Sequence, residues 1–387
     1  MALLSQVSHA RRADLSIPQY FAKLKDPRRA HRRLHHLQDI IVIALCAVIA
    51  GAQDWQQIET FGRKRRAWLD GFLELRNGIP SHDTFERVFD RLQPQALQAC
   101  FREWVQAVSS ALRIKHVAID GKTLRGSGSA KLGPLHLVSA WATAQHLSLG
   151  QVAVDAKSNE ITAIPALLEL LDLNGALVTI DAMGCQKAIA QKIVDQGGHY
   201  ALTVKDNQEH LLEDIQQKFE KAWDTDFAGL EHDIYETREK GHGREEYRCY
   251  TVLHTTEGIR HADAWAGLST IGMCCSERTV KDKTTVEVRY FIGDQKASAT
   301  YYGSGLRHHW GIENNLHWQL DVNFQEDHQR VQKRNAAENM ALLRRLTLSL
   351  LKAHPSKDSI AKKRFAAALD PAFLEEILRA DGFLEKR

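Results

Sequence analysis

Near residue 114 of this 387-residue chain the hydrophobic period changes from helical to strand-like, and the order of segments that follows narrows the fold more than any other feature. Residues 115–119 form a short apolar run, and 135–144 and 151–155 read as two further strands around a turn at 148–150. A helix is expected over 161–171, a strand over 176–180, a helix over 186–196, a strand over 200–204 and a helix over 208–221. Three strands in a meander followed by alternating helix and strand call for a mixed sheet flanked by helices, an α/β fold.

The flanking segments follow other rhythms. Residues 1–112 read as helices throughout: 37–50 is apolar nearly all round, Asp54-Trp55-Gln56-Gln57 and Asp83-Thr84-Phe85-Glu86 are capping-box starts, and Pro94 sits where a first helical turn accepts proline. Beyond residue 222 the chain breaks into β-leaning pieces at 247–253, 268–274 and 285–292, and helix resumes near 300, notably over 336–352. The expected organisation is an all-α domain over 1–112, the first part of the α/β domain over 113–222, a β-rich insertion over 223–298, and a helical return over 299–387.

Residues 1–66 hold 12 Lys+Arg against 5 Asp+Glu, a charge of +7 in a chain of net +3. A basic leading segment, with clusters at 28–33 and at Arg63, Lys64, Arg65 and Arg66, suits a module that binds a polyanion, with helix-turn-helix character possible. Charge alone reads equally well as a solvated face. The longest apolar run, 40–52, has 13 residues, whereas a helix that spans a bilayer needs about 20. The residues ahead of that run, with their own helical pattern, are too many for the leading region of a signal peptide. Six cysteines, at 46, 100, 185, 249, 274 and 275, include no C-x-x-C pair and suit a reduced cytoplasmic protein better than a disulfide or zinc scaffold. With 44% hydrophobic and 26% charged residues, neither global disorder nor a membrane-embedded architecture fits.

Two aspartates take equivalent places on the expected sheet: Asp120 ends the first strand and Asp181 ends the fourth. A carboxylate directly after an apolar strand leaves the core at its edge, where hard divalent cations are held by oxygen ligands; for either residue alone, a turn or cap role reads as well. A third element is Arg307-His308-His309-Trp310-Gly311-Ile312-Glu313, running on to His317, which on an α-helix sets His309, Glu313 and His317 on one face. That face admits a zinc reading and a purely structural one, although no H-E-x-x-H is present. Glu326 and Asp327 are rival third carboxylates, following a strand-like kink at 321–323, and Trp265 reads as a packed indole or as a platform for an extruded base.

These motifs resemble those of a known family. Asp120 in I-D-G-K-T-L-R-G, Asp181 in T-I-D-A-M-G-C-Q, and H-W-G-I-E-N-N-L-H-W-Q-L-D-V-N-F-Q-E-D running into N-A-A-E-N-M are similar to the H-repeat-associated family of bacterial insertion-sequence DDE transposases. The likeness extends to A-L-C-A-V-I-A-G-A-Q-D-W, P-S-H-D-T-F-E-R-V-F, K-S-N-E-I-T-A-I-P and G-H-G-R-E-E, so it covers nearly the whole chain. It implies a ribonuclease-H-like catalytic domain interrupted by the β-rich insertion, with Asp120, Asp181 and Glu313 as the three catalytic, metal-holding carboxylates.

Two Mg²⁺ ions, replaceable by Mn²⁺, are the implied cofactors, serving an in-line displacement at a phosphodiester. Double-stranded DNA, as element ends and as target, is the implied partner, with a homodimer in the DNA complex, no membrane and a cytoplasmic location. Related cut-and-paste enzymes carry Y-x-x-R-x-x-x-E-x-x-x-x-x-x-K around the glutamate; here those flanking places are Leu306, His309 and Leu320. Arg307 or His317 is expected to substitute for the missing cations, with Lys122 and Arg125 steadying phosphates after the first aspartate. The alternatives are an inactive or domesticated DNA-binding relative, and a metal-dependent nuclease of the same fold that hydrolyses DNA without rejoining it.

Overall fold

The computed structural model describes residues 17–112, 114–128, 133–154, 158–241, 243–281 and 283–380, so the helical expectation for 1–16 lies outside the described residues. Among the described residues there are nine strands, β1 His116–Leu124, β2 Leu135–Ala142, β3 Leu147–Ala153, β4 Leu177–Ile180, β5 His199–Val204, β6 His232–Gly241, β7 Arg244–Leu253, β8 Thr270–Val280 and β9 Lys283–Gly293. They form one mixed sheet in the order β3-β2-β1-β4-β5-β9-β8-β7-β6. The helices are α1 Ile17–Phe21, α2 Leu37–Ile49, α3 Trp55–Lys64, α4 Arg66–Leu69, α5 His82–Arg91, α6 Pro94–Leu112, α7 Glu160–Leu168, α8 Lys187–Asp195, α9 Glu209–Asp224, α10 Ala299–Ile312, α11 Trp318–Phe324, α12 Arg334–Ala353, α13 Ile360–Leu369 and α14 Pro371–Ala380. The mixed α/β class expected from the sequence is what the chain adopts.

The chain divides into two compact units that share β1. One comprises Lys115–Asp120 and Asn159–Ile312. Here β1, β4 and β5 run parallel, while β9 joins β5 antiparallel and leads through β8 and β7 to β6 by antiparallel hairpins. Every residue of β4 is buried, as a central parallel strand covered on both faces must be. α10 packs on β4, β5, β6 and β7, around a core of Leu177, Ala201, Tyr250, Val252, Phe291, Ala299 and Tyr302. Two glycines let it lie close to the sheet: a Cβ at Gly303 would run into Tyr250, and one at Gly305 into Leu177.

The other unit comprises Met1–Ile114, Gly121–Ser158 and Glu313–Arg387. Its central element is α12, buried along almost its whole length and packed against α2, α5, α6, α11, α13, α14 and β3. α2, apolar all round as read from the sequence, is buried accordingly. Among the described residues no helix is long and apolar enough to cross a membrane.

Several local expectations change. Asp54 does cap α3, its side chain accepting from the Gln57 N–H at 2.8 Å, but α5 starts earlier than expected, with Ser81 at the cap position. The β2–β3 turn lies at 143–146 rather than 148–150, with a bulge at Ala140/Trp141 and His146 at φ 53°. Apolar content alone did not place the reversal, because Ser148-Leu149-Gly150 is buried strand. β6 was not foreseen at all: its exposed, charge-rich sequence lacks the apolar alternation that marks a half-buried strand, and pairing with β7 defines it. Residues 321–323, expected as a kink, lie inside α11.

Candidate active site

Strands β1 and β4 run parallel with Ile119 opposite Ile180 as their last pair, so Asp120 and Asp181 leave the pairing at the same level of adjacent strands. Asp181 directly follows β4, as expected, whereas Asp120 lies inside β1, which continues to Leu124 beside β2. Strand alternation puts His116, Ala118 and Asp120 on one face of β1 and Leu177, Thr179 and Asp181 on one face of β4. A hydrogen bond between His116 Nε2 and Thr179 Oγ1, 2.9 Å, joins those faces. Burial, and then the neighbouring Asp120 and Glu160 carboxylates, push the Asp181 carboxyl above its ordinary range. The Gly184 N–H, 3.4 Å from Asp181 Oδ1, and His309 pull the other way. Two acids set side by side with a third nearby form a donor set of hard oxygens whose mutual repulsion a divalent cation would relieve. Among the described residues no group of three or more His, Cys, Asp or Glu is drawn together as a ready metal cage.

α10 roofs this face. Thr179 Oγ1, which meets His116 on one side, lies 3.1 Å from His309 Nδ1 on the other. Burial, helped by His308 and His309, pushes His116 down to about 3, so its ring is neutral at physiological pH. Neither His116 nor Glu160 is among the residues that the sequence singles out. His116 had one signal, a polar side chain opening an apolar strand; Glu160 had another, its place in K-S-N-E-I-T-A-I-P.

Glu313 opens a π-helical turn, Glu313–His317, and is exposed. π-turns interrupt helices mostly at functional sites. The wider turn breaks the α-helical spacing on which a single His309, Glu313 and His317 face depended, so the zinc reading loses its geometric basis.

The expected DNA-contacting cations are placed unevenly. Lys122 is only 8% exposed, with Nζ 2.7 Å from Asp321 Oδ1 and 3.0 Å from Asp327 Oδ1. Arg125 is well exposed, 3.6 Å from Asp327, and Arg307 pairs with Glu239 at 2.8 Å. His317 is half-buried on the π-turn. Arg63 pairs with Glu59 within α3, Lys64 is exposed, Arg65 Nη2 donates to the carbonyls of Ala368 and Leu369, and Arg66 lies 3.7 Å from Asp70. The rival carboxylates have structural partners: Glu326 is fully buried against Arg345 at 3.0 Å, and Asp327 holds Lys122. Trp265, 3% exposed, is a packed indole.

Residues 18–105 match the family described as DDE_Tnp_1-associated, and residues 112–350 match the family described as Transposase DDE domain. The transposase-named YncI of Escherichia coli O157:H7 is 40% identical over 371 residues, 94% of each chain. The H repeat-associated, transposase-named YhhI of Escherichia coli strain K12 is 38% identical over 372 residues, 94% of this chain and 98% of its own. A shorter relative from that strain, named inactive transposase YbfQ, is 44% identical over 63 residues, 16% of this chain and 75% of its own. With the family match covering more than half of its length and two relatives aligned nearly end to end, this chain belongs to the H repeat-associated transposases of the Transposase DDE domain family.

Proposed function

We propose that the protein is a DDE-type DNA transposase, cytoplasmic, that cleaves and transfers strands at the ends of its own insertion sequence, with Asp120, Asp181 and Glu313 holding two Mg²⁺ ions. One observation carries the reading. Along α10, Gly305 lies against Leu177 and His309 bonds Thr179, so one helical turn keeps pace with two strand residues. Four helical residues rise about 6 Å and two strand residues about 6.6 Å. Glu313 follows His309 by four residues in the sequence and Asp181 follows Thr179 by two, which supports counting Glu313 with the aspartates. The strand order β3-β2-β1-β4-β5, a meander followed by parallel strands, supports the ribonuclease-H-like reading of the domain.

The aspartate pair fits hard cations by its oxygen donors and its like charge. When bound there, such cations polarise a scissile phosphodiester and favour attack by water or a 3′-hydroxyl. The chain's own residues hold Asp181 just after β4 and Asp120 level with it on β1, keep His309 oriented through Thr179, and offer exposed cations such as Lys64, Arg66 and Arg125 to DNA phosphates. Two element ends must be held together for transfer, which favours a homodimer in the DNA complex.

Nicking of the element's own ends in Mg²⁺ or Mn²⁺, with the unaltered chain beside Asp181→Asn, tests the reading. Cleavage that disappears in the variant while end binding persists supports it. An equally active variant rules out the metal-holding role, and an unaltered chain that binds but never nicks makes the inactive DNA-binding relative the better account. Nicking without joining of a 3′-end to target DNA identifies a nuclease instead.

A further inference from the structure

We propose that Lys122 is a positioning residue, tying the segment that follows Glu313 to the strand that carries Asp120, and not a phosphate contact; this rests on the reading of Asp120, Asp181 and Glu313 as the metal-holding carboxylates. Lys122 lies two residues beyond Asp120 on β1, on the same face by alternation. Its ammonium sits between Asp321 Oδ1 of α11 at 2.7 Å and Asp327 Oδ1 at 3.0 Å. α11 continues without a break from the π-turn that Glu313 opens. The far side of the clamp is itself anchored. Asp327 accepts the Arg125 N–H at 3.4 Å, and Gly126 packs so tightly on the carbonyls of Asp327 and Gln329 that a Cβ there would collide with both. The neighbouring Glu326 is held by Arg345 of α12, both fully buried.

An ammonium 8% exposed between two carboxylates is not presented to a nucleic acid. Its removal takes away the cation that Asp321 and Asp327 share, giving the two carboxylates reason to separate, which would shift α11, and with it the Glu313 turn, relative to β1. Groups behind a metal's direct ligands typically change affinity or activity by about 10- to 100-fold when mutated.

The test uses the full chain with Lys122→Met, Lys122→Arg and Asp327→Asn, reading thermal unfolding, binding to element-end DNA across salt, calorimetric titration with Mn²⁺, and nicking kcat and KM. For Lys122→Met the expected result is unchanged DNA affinity and salt slope, Mn²⁺ affinity and kcat each lower by about 10-fold or more, and unchanged KM. Lys122→Arg recovers most of the loss, since a guanidinium can bridge two carboxylates, and Asp327→Asn shows the same pattern more mildly. If Lys122→Met fails to fold, the other two variants decide. A salt slope lower by about 0.9 with weaker DNA binding makes Lys122 a phosphate contact and overturns the proposal. Unchanged Mn²⁺ affinity and kcat overturn it as well. An unaltered chain that binds Mn²⁺ but does not nick removes the transposase reading and leaves Lys122 to be decided by the Mn²⁺ titration; one that neither binds Mn²⁺ nor nicks removes both.

Discussion

Glu326 and Asp327 are matched to cations of the same chain, Arg345 and Lys122, whereas Asp120 and Asp181 stand side by side with Glu160 close enough to push the Asp181 carboxyl up further. Sequence offers Asp120 and Asp181 as the paired metal-holding candidates, with Glu326 and Asp327 as rivals for the third carboxylate. A carboxylate buried against a cation of the chain is part of the scaffold, whereas carboxylates close enough to push one another's pKa up are the pattern of functional sites.

The sharpest way to break this comparison is to neutralise one member of each pair. Asp181→Asn should lower Mg²⁺-dependent nicking by about 10³-fold or more, because one of the few charges holding the cations is gone. The same variant should unfold at a higher temperature than the unaltered chain when no divalent ion is present, since it removes a carboxylate that burial and neighbours disfavour. A fall in melting temperature would show that Asp181 is structural and that the contrast is false.

In the scaffold pair the expected effect is on stability instead. Arg345→Met leaves Glu326 buried without its cation and should cost about 3–5 kcal/mol in urea unfolding. Adding Glu326→Gln should restore a large part of that, because the uncompensated charge disappears. A double variant as unstable as the single one would locate the loss in packing around Arg345, which also meets Ser139 and the Ala341 carbonyl.

The comparison sharpens at acid pH through His116. Its folded pKa, pushed down to about 3, lies below the ordinary 6.5, so below about pH 6.5 the unfolded chain takes up a proton that the folded chain refuses. Stability therefore falls as pH falls through that window, by up to about 1.4 kcal/mol per unit for this one group. Between pH 7 and 5.5 the unaltered chain should lose about 1 kcal/mol more than His116→Gln, measured by urea unfolding in parallel. Equal losses would mean that His116 is accessible to protons in the folded state.

The smallest expected effect extends the contrast to cations. Lys64→Ala and Arg66→Ala should each reduce the slope of log K against log salt for element-end DNA by about 0.9. Arg65→Ala should leave the slope unchanged and lower thermal stability, because its guanidinium serves the carbonyls that end α13. Slopes unchanged in all three would make the 63–66 cluster a solvated face.

Much of this was legible in advance for particular reasons. The apolar runs of β4 and β5 and the flanking amphipathic helices announce themselves, because a strand covered on both faces admits mostly apolar residues and no unpaired charge. The two aspartates were visible for the same reason, as the first charges after such runs. β6 was invisible because its stability comes from pairing rather than from a buried face. Lys122 was misplaced because nothing local distinguishes a cation facing solvent from one facing Asp321 and Asp327, roughly 200 positions away in sequence.

The sequence by itself determined most of the helices and the apolar strands, that the sheet is mixed, and which carboxylates follow apolar runs, since these follow from period and from the cost of burying charge. Tertiary structure alone decided what each charge faces. Only the β1–β4 register brings Asp120 level with Asp181, only the packing of α10 sets His309 on Thr179, and only tertiary packing gives Glu326 the cation of Arg345 on α12 and Asp327 that of Lys122 on β1. Electrostatic interaction depends on distance and burial in space, and neither quantity is written in the spacing of residues along a chain.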